Sequence, residues 1–160
     1  MTSSPHSRAF LRHTLATLSY RAGKTIRNAP ADFSSVRAGR DSRSAGEVLA
    51  HMSDLLDWAL TQAQGAPRWT DSPVQSWQVE CDRFFAALAA FDAYLASDAP
   101  LNAPAERLFQ GAVADALTHT GQLTLLRRLG GGPIKAENYA KADIVAGRVG
   151  SEQAAPRAEF

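Results

Sequence analysis

The chain has 160 residues, with 17 Lys and Arg against 16 Asp and Glu, four His and one Cys. That length suits a single domain around one core, and a formal net charge of +1 leaves no global field to hold a polyanion, so nucleic acid is excluded as the default partner. The 30 Ala and 16 Leu outweigh seven Val and three Ile, which favours helices over strands and predicts an all-α domain. The longest uninterrupted apolar run, Phe84 to Phe91, is too short to cross a bilayer. Arg8, Arg12 and His13 break up any stretch that would act as a signal-peptide core. Cys81 has no partner in the chain, so neither an internal disulfide nor a cysteine zinc knuckle is expected. Together these features predict a cytoplasmic protein without a membrane partner.

In chain order, the first predicted helix runs from about Pro5 to Ile26, with Phe10, Leu11, Leu15, Leu18 and Ala22 at helical spacing and Ser4 as its cap. Asn28 to Arg43 is a long connection holding Pro30, Gly39 and three Arg. Ser44 and Glu47 match a capping box and open a second helix that carries Val48, Met52, Leu55 and Ala59 to about Gln64. Ser72-Pro73-Val74-Gln75 reads as another capping box, opening a third helix that carries Trp77, Cys81, Phe84, Phe85, Leu88, Phe91 and Leu95 and ends near Ser97. A fourth begins near Asn102 to Pro104 and reaches Leu129, where Gly130-Gly131-Gly132-Pro133 stops it. The expectation is a four-helix bundle, one domain over 1–160 with its core over about 8–130. The extension over 131–160 is read as irregular, with a short helix from Ala136 to Ala146.

Two histidines fall inside strong helical patterns. His51 lies between Val48 and Leu55 on or beside the second helix's apolar stripe. His119 follows Asp115 by four residues, so carboxylate and imidazole stack on one face with Leu108, Ala112, Gln122 and Leu126. Such a pair is either an ordinary ion pair or, among apolar neighbours, two ligands of a shared cation.

The segment Gly111-Ala112-Val113-Ala114-Asp115-Ala116-Leu117-Thr118-His119-Thr120-Gly121-Gln122-Leu123, running into Leu126-Arg127-Arg128-Leu129-Gly130, resembles the last core helix of the DinB/YfiT-like family. Ala45-Gly46-Glu47-Val48-Leu49-Ala50-His51-Met52 is similar to that family's second helix, and the likeness extends from about Phe10 to Gly150. The resemblance implies a bundle, commonly a homodimer, with a divalent metal (zinc, nickel, manganese or iron) near one end. It implies His51 and His119 as ligands, while Asp115 stands where the family usually has a third His. A carboxylate there preserves a three-ligand site with one more negative charge, or leaves Asp115 and His119 as a buried ion pair. By function the resemblance implies a thiol-dependent transferase or related enzyme acting on a small electrophile. The alternative is a non-catalytic binding or stress-response module with the same fold.

Other residues are read more plainly. Glu137-Asn138-Tyr139 either shapes the pocket or forms a polar turn with Tyr139 as an anchor. Gln122 is a partner for His119 or an interhelical hydrogen bond. Arg37, Arg40 and Arg43 either attract an anionic thiol or substrate or keep their loop solvated. Trp58, Trp69 and Trp77 read as core or dimer-contact aromatics, and Cys81 as a buried inert thiol.

Overall fold

The computed structural model describes residues 5–160, so the predicted cap Ser4 lies outside the described residues. Four long helices carry the fold, and no strand occurs among the described residues. Helix α1 spans Pro5–Ile26, α2 Ala45–Ala63 and α3 Trp77–Ala96. Helix α4 is continuous over 105–129 but changes pitch, passing from α-helical Ala105–Leu108 through a π-helical turn at Phe109–Val113 to α-helical Ala114–Leu129. None of these helices is long and apolar enough to cross a membrane.

Contacts between the helices define their directions. Arg12 on α1 forms a forked ion pair with Asp92 near the end of α3 (2.9 and 3.0 Å), so these two helices run antiparallel. Arg83 donates to the Ala50 carbonyl at 2.7 Å and Tyr94 to that of Ala63 at 3.2 Å, which makes α2 and α3 parallel. Helices α1 and α4 are also parallel, with Phe10 beside Phe109 at one end and Thr25 bonded to Thr124 at 3.0 Å near the other. The chain therefore runs up, down, down and up, and residues 64–76 must climb back along α2 before α3 can begin. Leu15, Leu18, Leu49, Leu56, Phe84, Leu88, Phe91 and Leu123 fill the interior and are fully buried.

Local signals set several boundaries. The predicted capping box forms at the head of α2: Ser44 Oγ accepts from the Glu47 N–H at 3.2 Å, and the Ser44 N–H donates to Glu47 Oε2 at 2.6 Å. At the other end of α4, Gly131 takes φ +78°, and a Cβ on Gly132 would stand 2.8 Å from the Pro30 ring, so the glycine run lets the 27–44 connection pass close by.

Two expectations require correction. The second capping box does not form, and α3 starts at Trp77 rather than Pro73. The Ser72 N–H and hydroxyl both donate to Asp54 on α2 (3.0 and 2.7 Å), and Arg83 joins the same carboxylate at 2.7 Å. A buried charged acceptor thus takes the donors that a local cap would have used. Nor is there a helix from Ala136 to Ala146; only Tyr139–Lys141 makes a single 3-10 turn. Glu137 instead pairs in antiparallel fashion with Glu159, and the Asn138 side chain accepts from the Ala140 N–H, competing with helical bonding.

The segment after α4 is nonetheless tied down. The Glu137 carboxylate is fully buried and accepts 2.7 Å bonds from Tyr20 Oη and Lys24 Nζ, while Lys24 also reaches Glu159 at 2.8 Å. Val149 is buried, and Ser19 and Gln153 bond the Gly150 carbonyl. Burial, then the bond to Glu137, pushes the Tyr20 phenol above its ordinary value of 10.0. Burial alone would lower the Lys24 ammonium, but its two carboxylate partners outweigh this and raise it above 10.5. Both groups hold their protons more tightly when folded, so their contribution is fully present below about pH 10 and is lost as pH rises through the raised values. Denaturant melts should accordingly show stability falling above pH 10, with a shallower alkaline fall in Tyr20→Phe.

Candidate metal centre

Helix α2 contributes His51 about two turns after its cap, and α4 contributes Asp115 and His119 just beyond the π-helical turn. That turn has a local cause. Leu108, Ala112, Ala116 and Thr120 are all buried at successive spacings of four. In a regular α-helix such a run drifts about 120° around the axis over its length. The wider π turn absorbs the drift and keeps both halves of α4 on the core. It also sets the rotation of the turns beyond it: Ala116, Thr120 and Leu123 point inward, His119 turns to the seam with α2, and Asp115 stands half exposed at its edge.

The three side chains converge. His51 Nε2 lies 3.6 Å from Asp115 Oδ2, and His119 Nε2 lies 3.4 Å from Asp115 Oδ1. One ligand atom from each lies within 4.8 Å of the other two. With bonds of about 2.0–2.2 Å, the ligand atoms of a tetrahedral site stand about 3.4 Å apart, close to the spacing of each imidazole nitrogen from one oxygen of the carboxylate. The rings stand nearly perpendicular, at 89°, with centroids 4.9 Å apart. A His/Asp/His group that can hold a metal ion is therefore present in the fold.

Gln122 completes the arrangement. Its Oε1 lies 2.8 Å from His119 Nδ1, so that ring nitrogen donates and the bond holds the ring with Nε2 turned toward Asp115 and His51. This is the first of the two roles read for Gln122. Burial, with the positive charge of Arg43, lowers the His51 pKa below its ordinary 6.5, against the opposing pull of Asp115. Neutral imidazole is the form that binds metal.

Trp69 was not distinguished in the sequence from the other two tryptophans, yet it sits beside the site. Its ring meets His51 edge-on at 5.6 Å and Trp58 at 5.8 Å, while Nε1 donates to Asp71. It lies in the 64–76 return segment, 18 residues from His51, and no local pattern marks it. Trp77 packs on Phe33 as a core-edge aromatic. Cys81 is buried, and burial followed by the neighbouring Asp82 and Glu80 charges pushes its thiol up to about 11, as befits an inert thiol. Of the Glu137-Asn138-Tyr139 segment, Glu137 bonds α1 and Tyr139 packs on Tyr20 under Arg21, which matches the anchoring reading rather than a pocket wall.

On the flank away from Trp69 a cleft of about 430 Å³ opens beside His119, bordered by Arg43, Val48, Gln122, Leu125 and Leu126. No family model, curated protein or solved structure matches the chain.

Proposed function

We propose that the chain is a divalent-metal-binding, DinB/YfiT-like bundle that performs metal-assisted nucleophilic chemistry with a small thiol. The observation carrying this reading is the convergence of His51, Asp115 and His119 from two antiparallel helices, with His119 oriented by Gln122. Two imidazoles and one carboxylate suit zinc, iron, nickel or manganese, and three protein ligands leave room for an exogenous one. A bound cation supplies acidification: a thiol beside it ionises at neutral pH. The protein's own part is to fix the ligands, wall one flank with Trp69 and leave the His119 flank open. With the ion held by His51, Asp115 and His119, the thiolate sulfur would bond to the electrophilic carbon as the carbon–leaving group bond breaks, the leaving group departing with the electron pair and the thiol proton passing to solvent.

The proposal also carries the homodimer implied by the resemblance and the cytoplasmic setting expected from composition. Its test is metal analysis after equilibration with zinc, nickel, manganese and iron in turn, followed by thiol-consumption assays on a panel of electrophiles. One ion per chain and metal-dependent thiol loss are expected. A chain that takes up none of the four overturns the reading; uptake with flat thiol traces leaves a metal-binding module without turnover.

A further inference from the structure

The cleft beside His119 has a chemistry of its own. Its apolar wall is Val48, Leu125 and Leu126, with Leu125 half exposed at the rim. The polar groups facing it are unequal in what they have left to offer. Gln122 spends Oε1 on His119 Nδ1, which leaves its amide N–H groups without an acceptor among the described residues. Ser42 is engaged with Gly39 on both its donor and acceptor sides.

The three loop arginines also separate. Arg37 is committed to Glu47 at 2.9 Å and to the Ser42 carbonyl at 2.6 Å. Arg40 is exposed and does not border the cleft. Arg43 borders it and forms no ion pair among the described residues. The free polar groups are thus all donors, and one of them is a guanidinium, whose planar fork matches a carboxylate. Charge gives the same answer. A divalent ion with the Asp115 carboxylate and the Arg43 guanidinium sums to two positive charges, which a thiolate and a carboxylate on one ligand would neutralise.

We infer that the cleft binds the carboxylate end of a thiol cosubstrate, with Arg43 and Gln122 as its donors and Val48, Leu125 and Leu126 against its hydrocarbon body. This inference rests on the metal reading and names the ligand class for the same site. Arg43 is a positioning residue for the thiol rather than a ligand of the ion.

The test uses the zinc-loaded full chain and calorimetric binding of a series of ω-mercaptocarboxylates, from 3-mercaptopropionate to 6-mercaptohexanoate, each beside its methyl ester. At least one acid should bind about tenfold or more tightly than its ester, since the ester cannot accept the charge-assisted hydrogen bonds of a carboxylate. Arg43→Gln should bring that ratio close to one while zinc uptake and ester binding are retained. Equal binding of acid and ester across the series, or a preference that survives Arg43→Gln, overturns the inference and leaves the metal reading standing. A chain that takes up no zinc overturns both.

Discussion

Zinc should raise the melting temperature of the wild-type chain and leave that of His51→Ala where it was. At a free zinc concentration 100 times the dissociation constant, linkage stabilises the folded state by about 2.7 kcal/mol. For a domain of this size that is a rise of about 5–10 °C. His51 is the sole ligand from α2, so its loss leaves only the Asp115 and His119 pair on α4, without the partner that closes the site. Affinity should fall by more than the 10–100-fold expected for removing an outer partner. Gln122→Ala calibrates that scale, because it keeps all three ligands and removes only the acceptor that orients His119. The expected order is wild type, Gln122→Ala, then His51→Ala, read by differential scanning calorimetry with and without zinc. Without metal, His51→Ala should change stability by only about 1 kcal/mol, since the ring sits at the seam's edge rather than in the core. If all three proteins respond equally to zinc, the ion is bound elsewhere.

Glu137→Ala should have the opposite profile: a large loss of stability with metal uptake retained. The substitution removes a fully buried carboxylate, leaving the Tyr20 hydroxyl without its acceptor and Lys24 with only the more exposed Glu159. Breaking a buried ion pair from one side costs about 3–5 kcal/mol, a large part of the 5–15 kcal/mol typical of a domain. Glu137→Gln retains an acceptor for Tyr20 and should lose less. Urea denaturation measures both losses, and zinc titration at low urea should give wild-type affinity. Loss of zinc binding in folded Glu137→Ala would show instead that the segment after α4 supports the metal site.

The two variants mark the line between local and long-range information. The helices were legible because helical bonding is a matter of neighbours: the Ser44/Glu47 cap and the Gly130–Gly132 stop act within a few residues. The Asp115/His119 stack was equally legible, since four residues along a helix is a fixed geometry. The π-helical turn at Phe109–Val113 was not legible, since no residue type or spacing within those five residues marks a change of pitch. Local reading failed where a distant group competed for the same donors. Asp54 drew Ser72 away from a helix cap, and α1 drew Glu137 out of a helix.

By itself, then, the sequence determined an all-helical chain, its main stops, and a carboxylate–imidazole pair on one face of the last helix. Only the tertiary structure decided that His51 lies 3.6 Å from that carboxylate, that Trp69 returns to cover the site, and that Arg43 alone of the loop arginines borders the cleft. Each of these depends on how α2 and α4 are rotated against one another and on the course of the two long connections. Those are set by the packing of the whole core, which no short stretch of chain encodes.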